Sequence, residues 1–190
     1  MNTNQLMNDI LAVLKMIQED KPKLEKLHEF MMEEIYEEPE PEEIPEKYKK
    51  AVHEIADSLQ AGFVCYLNPE TLEVEDLPET MVHDPTEYEM ITGESYEDAE
   101  IKHNSWDKCI EVEPMDSHEA FQIMEYFIDE IDDRNLQERV IKALNKPRPF
   151  ARFKDLVEYS DYRQQWFDFR MKQYELYVWN DIQMHFESEE

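Results

Sequence analysis

The stretch from Phe63 to Leu77, FVCYLNPETLEVEDL, decides how the rest of the chain is read. Phe63 to Leu67 is a short apolar run rich in aromatic and branched side chains, which suits a pleated, half-buried surface. Asn68-Pro69-Glu70-Thr71 follows with turn chemistry, since proline presets φ and asparagine bonds back to its own backbone. Leu72, Val74 and Leu77 then mark a return strand. A hairpin embedded in a chain whose other segments carry helical periodicity predicts an α+β fold: a small antiparallel sheet of about three strands with a helical C-terminal half and an N-terminal helical hairpin.

Upstream, Tyr48, Val52, Ile55 and Leu59 predict a helix over Glu46 to Leu59. Before it runs Glu37-Glu38-Pro39-Glu40-Pro41-Glu42-Glu43-Ile44-Pro45, in which prolines among like charges favour an extended spacer. Leu6, Ile10, Val13, Leu14 and Ile17 recur at helical spacing, with Thr3 or Asn4 placed to cap. Pro22 suits the first turn of a second helix, striped by Leu24, Leu27, Met31 and Ile35. The organisation expected is a helical hairpin over residues 1–36, a spacer over 37–45 and a main domain over 46–190. The hairpin should be dispensable for folding of the remainder.

Downstream, Pro78 to Asp107 is expected to hold a short helix within loops, and Cys109 to Val112 a third strand ended by Pro114. Asp116-Ser117-His118-Glu119 has the spacing of a capping box. Ala120, Phe121, Met124, Phe127, Ile128 and Ile131 form a broad apolar face after it. Leu136, Val140, Ala143 and Leu144 predict the next helix, stopped by Asn145 and Pro147. Phe150, Phe153, Leu156 and Val157 mark another, with Phe150 and Phe153 sharing its inner face. A long helix should begin near Asp161, carrying Trp166, Phe169, Tyr177 and Met184 along one side. Phe167 and Tyr174 fall off that side and are expected to be exposed.

The chain of 190 residues holds 47 acids against 19 bases, a net charge of −28. Such a charge opposes contact with nucleic acid or anionic membrane except through a local basic patch. Only two glycines occur, too few for a phosphate-cradling loop. No Gly-x-Ser-x-Gly elbow is present, and neither cysteine has a His and Asn pattern near it. Cys65 and Cys109, 44 positions apart, fit neither a metal motif nor a disulfide framework, so buried reduced thiols are expected. The histidines His28, His53, His83, His103, His118 and His185 lack metal-ligand spacing and read as ordinary surface or capping residues. No metal and no cofactor is expected. No apolar run reaches membrane-spanning length and no basic-then-apolar leader opens the chain, which suggests the cytoplasm.

Charge distribution is the most informative feature. Residues 134–172 hold ten cations, from Arg134 to Lys172, against five acids, while the remaining nine cations face 42 acids. Acids from the sheet, the spacer or the N-terminal hairpin could neutralise this island. Otherwise it docks an acidic or phosphorylated protein partner, with Arg148, Arg152, Lys154 and Arg163 as the residues to carry it, because the guanidinium fork pairs bidentately with carboxylate or phosphate. A non-enzymatic interaction module is therefore the leading expectation. A nucleic-acid role is the alternative, by binding through the island or by DNA mimicry in the acidic remainder. A hydrolase is third, although among so many acids no catalytic carboxylate pair can be selected.

Three motifs carry a family resemblance: Tyr66-Leu67-Asn68-Pro69-Glu70-Thr71-Leu72-Glu73-Val74, Asp116-Ser117-His118-Glu119-Ala120, and Phe150-Ala151-Arg152-Phe153-Lys154-Asp155 followed by Trp166-Phe167-Asp168-Phe169. Over roughly residues 48–186 the chain resembles a bacterial uncharacterised protein family. The resemblance implies a fold and motif positions, with no activity attached. The family's hairpin has glycine where Leu72 stands. A turn needing positive φ would be strained there, so a different turn type is expected.

Overall fold

A computed structural model describes residues 3–18, 20–34, 43–94 and 100–188. The chain divides into two compact units, Met1–Glu43 and Ile44–Glu190. The first holds α1 (Thr3–Ile17) and α2 (Lys21–Glu34), which touch one another. Leu14, Ile17, Leu24 and Leu27 are half-buried, whereas Leu6, Ile10 and Val13 stay exposed. Two helices offer too little surface to bury both apolar stripes completely. The expected Thr3 or Asn4 cap falls on side chains that are not described, and Ile35 and most of the Pro/Glu segment lie outside the described residues.

In the second unit α3 (Glu46–Gln60) buries Tyr48, Ala51, Val52, Ile55, Ala56 and Leu59, a stripe at helical spacing. The strands β1 (Phe63–Leu67), β2 (Val74–Pro78) and β3 (Ile110–Val112) form an antiparallel sheet in the order β2-β1-β3. The register pairs Leu67 with Val74 and with Ile110. As the central strand, β1 is covered on both faces. Cys65 and Leu67 join the core beneath α3, while Tyr66 stacks on the His103 ring at 3.7 Å on the other side.

The hairpin turn corrects one expectation. Leu72 does adopt positive φ, at 60°, where a Cβ costs roughly 1–2 kcal/mol. The turn is over-determined by its neighbours. The nearly buried Asn68 takes the Glu70 and Thr71 N–H groups on its side-chain oxygen at 2.9 and 3.0 Å. Its own N–H donates to the Glu73 carbonyl at 2.9 Å, and Leu72 N–H donates to its carbonyl at 2.8 Å. Leu72 also packs against the core, so burial offsets the backbone cost. Asn68→Ala should then lower stability by about 1–3 kcal/mol, since two N–H groups lose their acceptor. A urea melt showing a loss below about 0.5 kcal/mol would mean that the turn holds itself together without Asn68.

The described residues of the Pro78–Asp107 stretch hold two short helices, α4 (Glu79–His83) and α5 (Pro85–Thr92), and a 3₁₀ turn at His103–Ser105. Asp84 caps α5 through Glu87 N–H, and Gly93 ends it in the left-handed conformation. Beyond β3 comes α6 (Ser117–Phe127), whose capping box between Asp116 and Glu119 is complete. Then follow α7 (Arg134–Leu144, capped by Asp133), α8 (Pro149–Glu158) and α9 (Arg163–Ser188).

Two hydrophobic clusters result. The first joins α3 and the sheet to the C-terminal part of α9 through Val178, Trp179 and Ile182. The second joins α6, α7 and α8 to the N-terminal part of α9 through Trp166. Because α9 is clasped on several sides, Phe167 and Tyr174 are half-buried rather than exposed, and Tyr174 touches both clusters. Met184 falls on the open side and is exposed. Phe150 is also exposed, unlike Phe153: it sits in the first turn of α8, where Phe121 meets it edge-on at 6.3 Å.

Candidate docking site

The site is built by the short connection between α7 and α8. On α7, Leu136, Val140, Ala143 and Leu144 turn inward, leaving Arg139, Lys142 and, just past its end, Lys146 on the outer side at i, i+3, i+7 spacing. On α8, Phe153 and Val157 turn inward and Arg152 and Asp155 outward. Arg148, the residue before Pro149, takes the left-handed conformation (φ 59°, ψ 57°) and so reverses the chain between the helices. Arg152 Nε donates to the Pro147 carbonyl at 2.9 Å, which steadies that reversal.

Between the helices lies a cleft of about 340 Å³ lined by Arg139, Lys142, Ala143, Lys146, Arg152, Asp155 and Leu156. Four cations therefore converge against one carboxylate. Lys142 has an exposed partner in Glu138 at 3.4 Å, one turn earlier on the same helix. Exposed pairs of this kind contribute under about 1 kcal/mol and leave the charge available. Among the described residues no cation of the 134–172 island pairs with an acid of the sheet or of residues 78–107; its ion pairs are local ones such as Lys142–Glu138 and Lys154–Glu158. The cleft continues into a second pocket of about 280 Å³ that shares Arg139, Asp155 and Leu156 and adds Asp133, Tyr159, Asp161 and Tyr162. The groove is thus basic at one end and acidic at the other.

Of the four residues singled out in the sequence, Arg152 lines the basic cleft and Arg148 stands exposed at its turn. Lys154 is exposed and bridges to Glu158 at 3.6 Å. Arg163 begins α9 and lies over the Phe167 ring at 4.8 Å. The cleft does not gather these last two. It gathers Arg139, Lys142 and Lys146 instead, whose helical spacing was the available signal.

A second polar cluster corrects the reading of the histidines. His103, largely buried, lies 2.7 Å from Glu75 through Nδ1 and stacks on Tyr66, the residue opposite Glu75 in the sheet. Glu75 also accepts the N–H groups of Lys102 and His103 at 2.8 and 2.7 Å. Burial pushes the Glu75 carboxyl upward, but these hydrogen bonds outweigh it and hold the pKa below the ordinary value. The cluster fastens residues 102–103 across β2. His53 makes another long-range pair, with Glu175 at 2.7 Å. Cys65 is buried as expected, and burial lifts its thiol to about 12. Cys109 is only partly buried, yet burial raises its thiol too. Both remain protonated at neutral pH and are poor nucleophiles.

Among the described residues no group of three or more His, Cys, Asp or Glu side chains could hold a metal ion. None of the described helices is long and apolar enough to cross a membrane. Residues 93–189 match the model of an uncharacterised protein family (UPF0158). The match includes α6 to α9 and the cationic cleft, and begins after the hairpin and α3. No curated protein and no solved structure matches the chain.

Proposed function

The chain belongs to this uncharacterised protein family, and from that starting point we propose that it is an interaction module whose α7–α8 cleft docks an acidic or phosphorylated segment of another protein. The observation that carries the reading is the convergence of Arg139, Lys142, Lys146 and Arg152 on one cleft in a chain where acids outnumber bases 47 to 19. With so many carboxylates at hand, cations left open toward solvent are available to an outside anion. Two arginines supply planar forks for bidentate contact, and two lysines add point charges.

The acidic far end of the groove favours a short anionic segment over a long polyanion. Nucleic acid running along it would pass from the basic cleft onto Asp133 and Asp161. A compact phosphorylated or Glu-rich loop ends before those acids are reached.

Reversing Arg139 and Arg152 to Glu tests the reading. Both side chains are exposed and only the Arg152–Pro147 hydrogen bond is lost, so a melt should show a loss of no more than about 1 kcal/mol. Binding of a fluorescent phosphoserine peptide flanked by glutamates should weaken by tenfold or more, a change of about 1.4 kcal/mol. Unchanged peptide affinity in the folded variant would dismiss the cleft. Tighter binding of duplex DNA than of peptide, falling steeply between low and moderate salt, would favour the nucleic-acid role instead.

A further inference from the structure

A second, smaller pocket of about 110 Å³ lies away from the cleft, between α6 and α9. Ile123 and Met124 of α6, Phe150 of α8 and Trp166 of α9 line it with apolar surface, and Arg170 and Tyr174 complete it. Trp166, Arg170 and Tyr174 follow one another at i, i+4, i+8 and form a single stripe of α9. The Arg170 guanidinium lies over the rings of Phe167 and Trp166 at 5.4 and 5.8 Å, which restrains its plane. Its Nε is buried and finds no acceptor among the described residues. Acid-rich as the chain is, no carboxylate among the described residues forms an ion pair with Arg170.

A buried guanidinium donor without an acceptor is costly unless something supplies one. Water would satisfy the nitrogen but not the apolar walls. A carboxylate with a short hydrocarbon tail matches both, its oxygens on the edge of the fork and its tail against Ile123, Met124 and Phe150. We infer that the Arg170 pocket is a binding site for a small aliphatic monocarboxylate. Its volume sets the size: somewhat less than the roughly 150 Å³ cavity that accommodates benzene, so about four to six heavy atoms. Exposure of Phe150 at the rim gives such a molecule a way in. Tyr174 lies one turn on from Arg170 along α9 and lines the same pocket, which gives the site a second polar group beside the guanidinium.

Isobutyrate is the probe, with isobutyramide as its neutral isostere. The indole N–H of Trp166 and the Nε–H of Arg170 are followed by ¹⁵N–¹H NMR during titration of the full chain. Isobutyrate should shift both resonances saturably with a Kd on the order of 1–10 mM, as expected for so small a ligand. Isobutyramide should bind at least about tenfold more weakly, and Arg170→Gln should bring the acid down to the level of the amide. The Arg139→Glu/Arg152→Glu variant should bind isobutyrate as the wild type does, which separates this pocket from the α7–α8 cleft. Equal affinities for acid and amide in the wild type would overturn the inference without recourse to any variant. So would the absence of a saturable shift, or loss of the Trp166 response on reversing the cleft arginines.

Discussion

Phe153→Ala is expected to remove about 3–5 kcal/mol of stability, the range for deleting a fully buried phenylalanine. Phe153 is 2% exposed and sits inside an aromatic group. Its ring lies 4.7 Å from Trp166 and 6.2 Å from Phe127, both edge-on. Phe127 in turn meets Trp166 at 5.1 Å and Phe169 at 5.4 Å. Edge-to-face pairs add about 0.5–1.5 kcal/mol each beyond burial, and alanine deletes two of them. Neighbours this rigid cannot collapse into the space left, so the cavity persists. The check is a guanidinium melt with unchanged slope and a lowered midpoint. A loss under about 1 kcal/mol would mean that Phe153 is not the centre of that cluster.

Ile182→Ala should cost about 2–5 kcal/mol from the opposite end of the same helix. Ile182 is fully buried in the first cluster, beside Val178 and Trp179, and Trp179 packs on Tyr48 of α3 at 5.1 Å. The more telling outcome is the form of the transition. Since α9 belongs to both clusters, damage to either should lower one common transition. Fluorotryptophan at Trp166 and at Trp179 reports each cluster by ¹⁹F NMR, and the two signals should vanish at the same denaturant concentration in both variants. Separate midpoints would show that α9 is a linker between independent cores.

Much of the local architecture was legible because it is encoded locally. The hairpin strands, the Asp116–Glu119 box, the stop at Asn145 and Pro147 and the inward stripes of α3 and α7 all follow from residues within a turn or two of one another. Features that depend on distant partners were not. Leu72 tolerates positive φ because Asn68 and the core hold it, which its own identity argues against. Phe150 and Phe153 share a helical face, yet only Phe153 is covered completely. Phe167 and Tyr174 lose their exposure because a second cluster reaches them. Glu75 and His103 are 28 positions apart, and His53 and Glu175 are 122 apart. No spacing rule reaches so far. The cationic site was legible as a region and as one of its lining residues, Arg152. Which other island cations join it depends on the rotation of α7, written in Leu136, Val140 and Ala143 rather than in the charges themselves.

The sharing of α9 has a consequence during synthesis. The apolar faces of α3 and β1 emerge early, but the helix that covers them starts about a hundred residues later. At 5–20 residues per second, those faces wait for about 5–20 s on the ribosome before their partner appears. Over that interval the nascent chain carries a greasy surface without its lid. The acids crowded into residues 54–119 are what the growing chain has to keep one such surface away from another. Negative charge spread through residues 54–119 repels one unfinished chain from another by the same physics that acts between finished molecules.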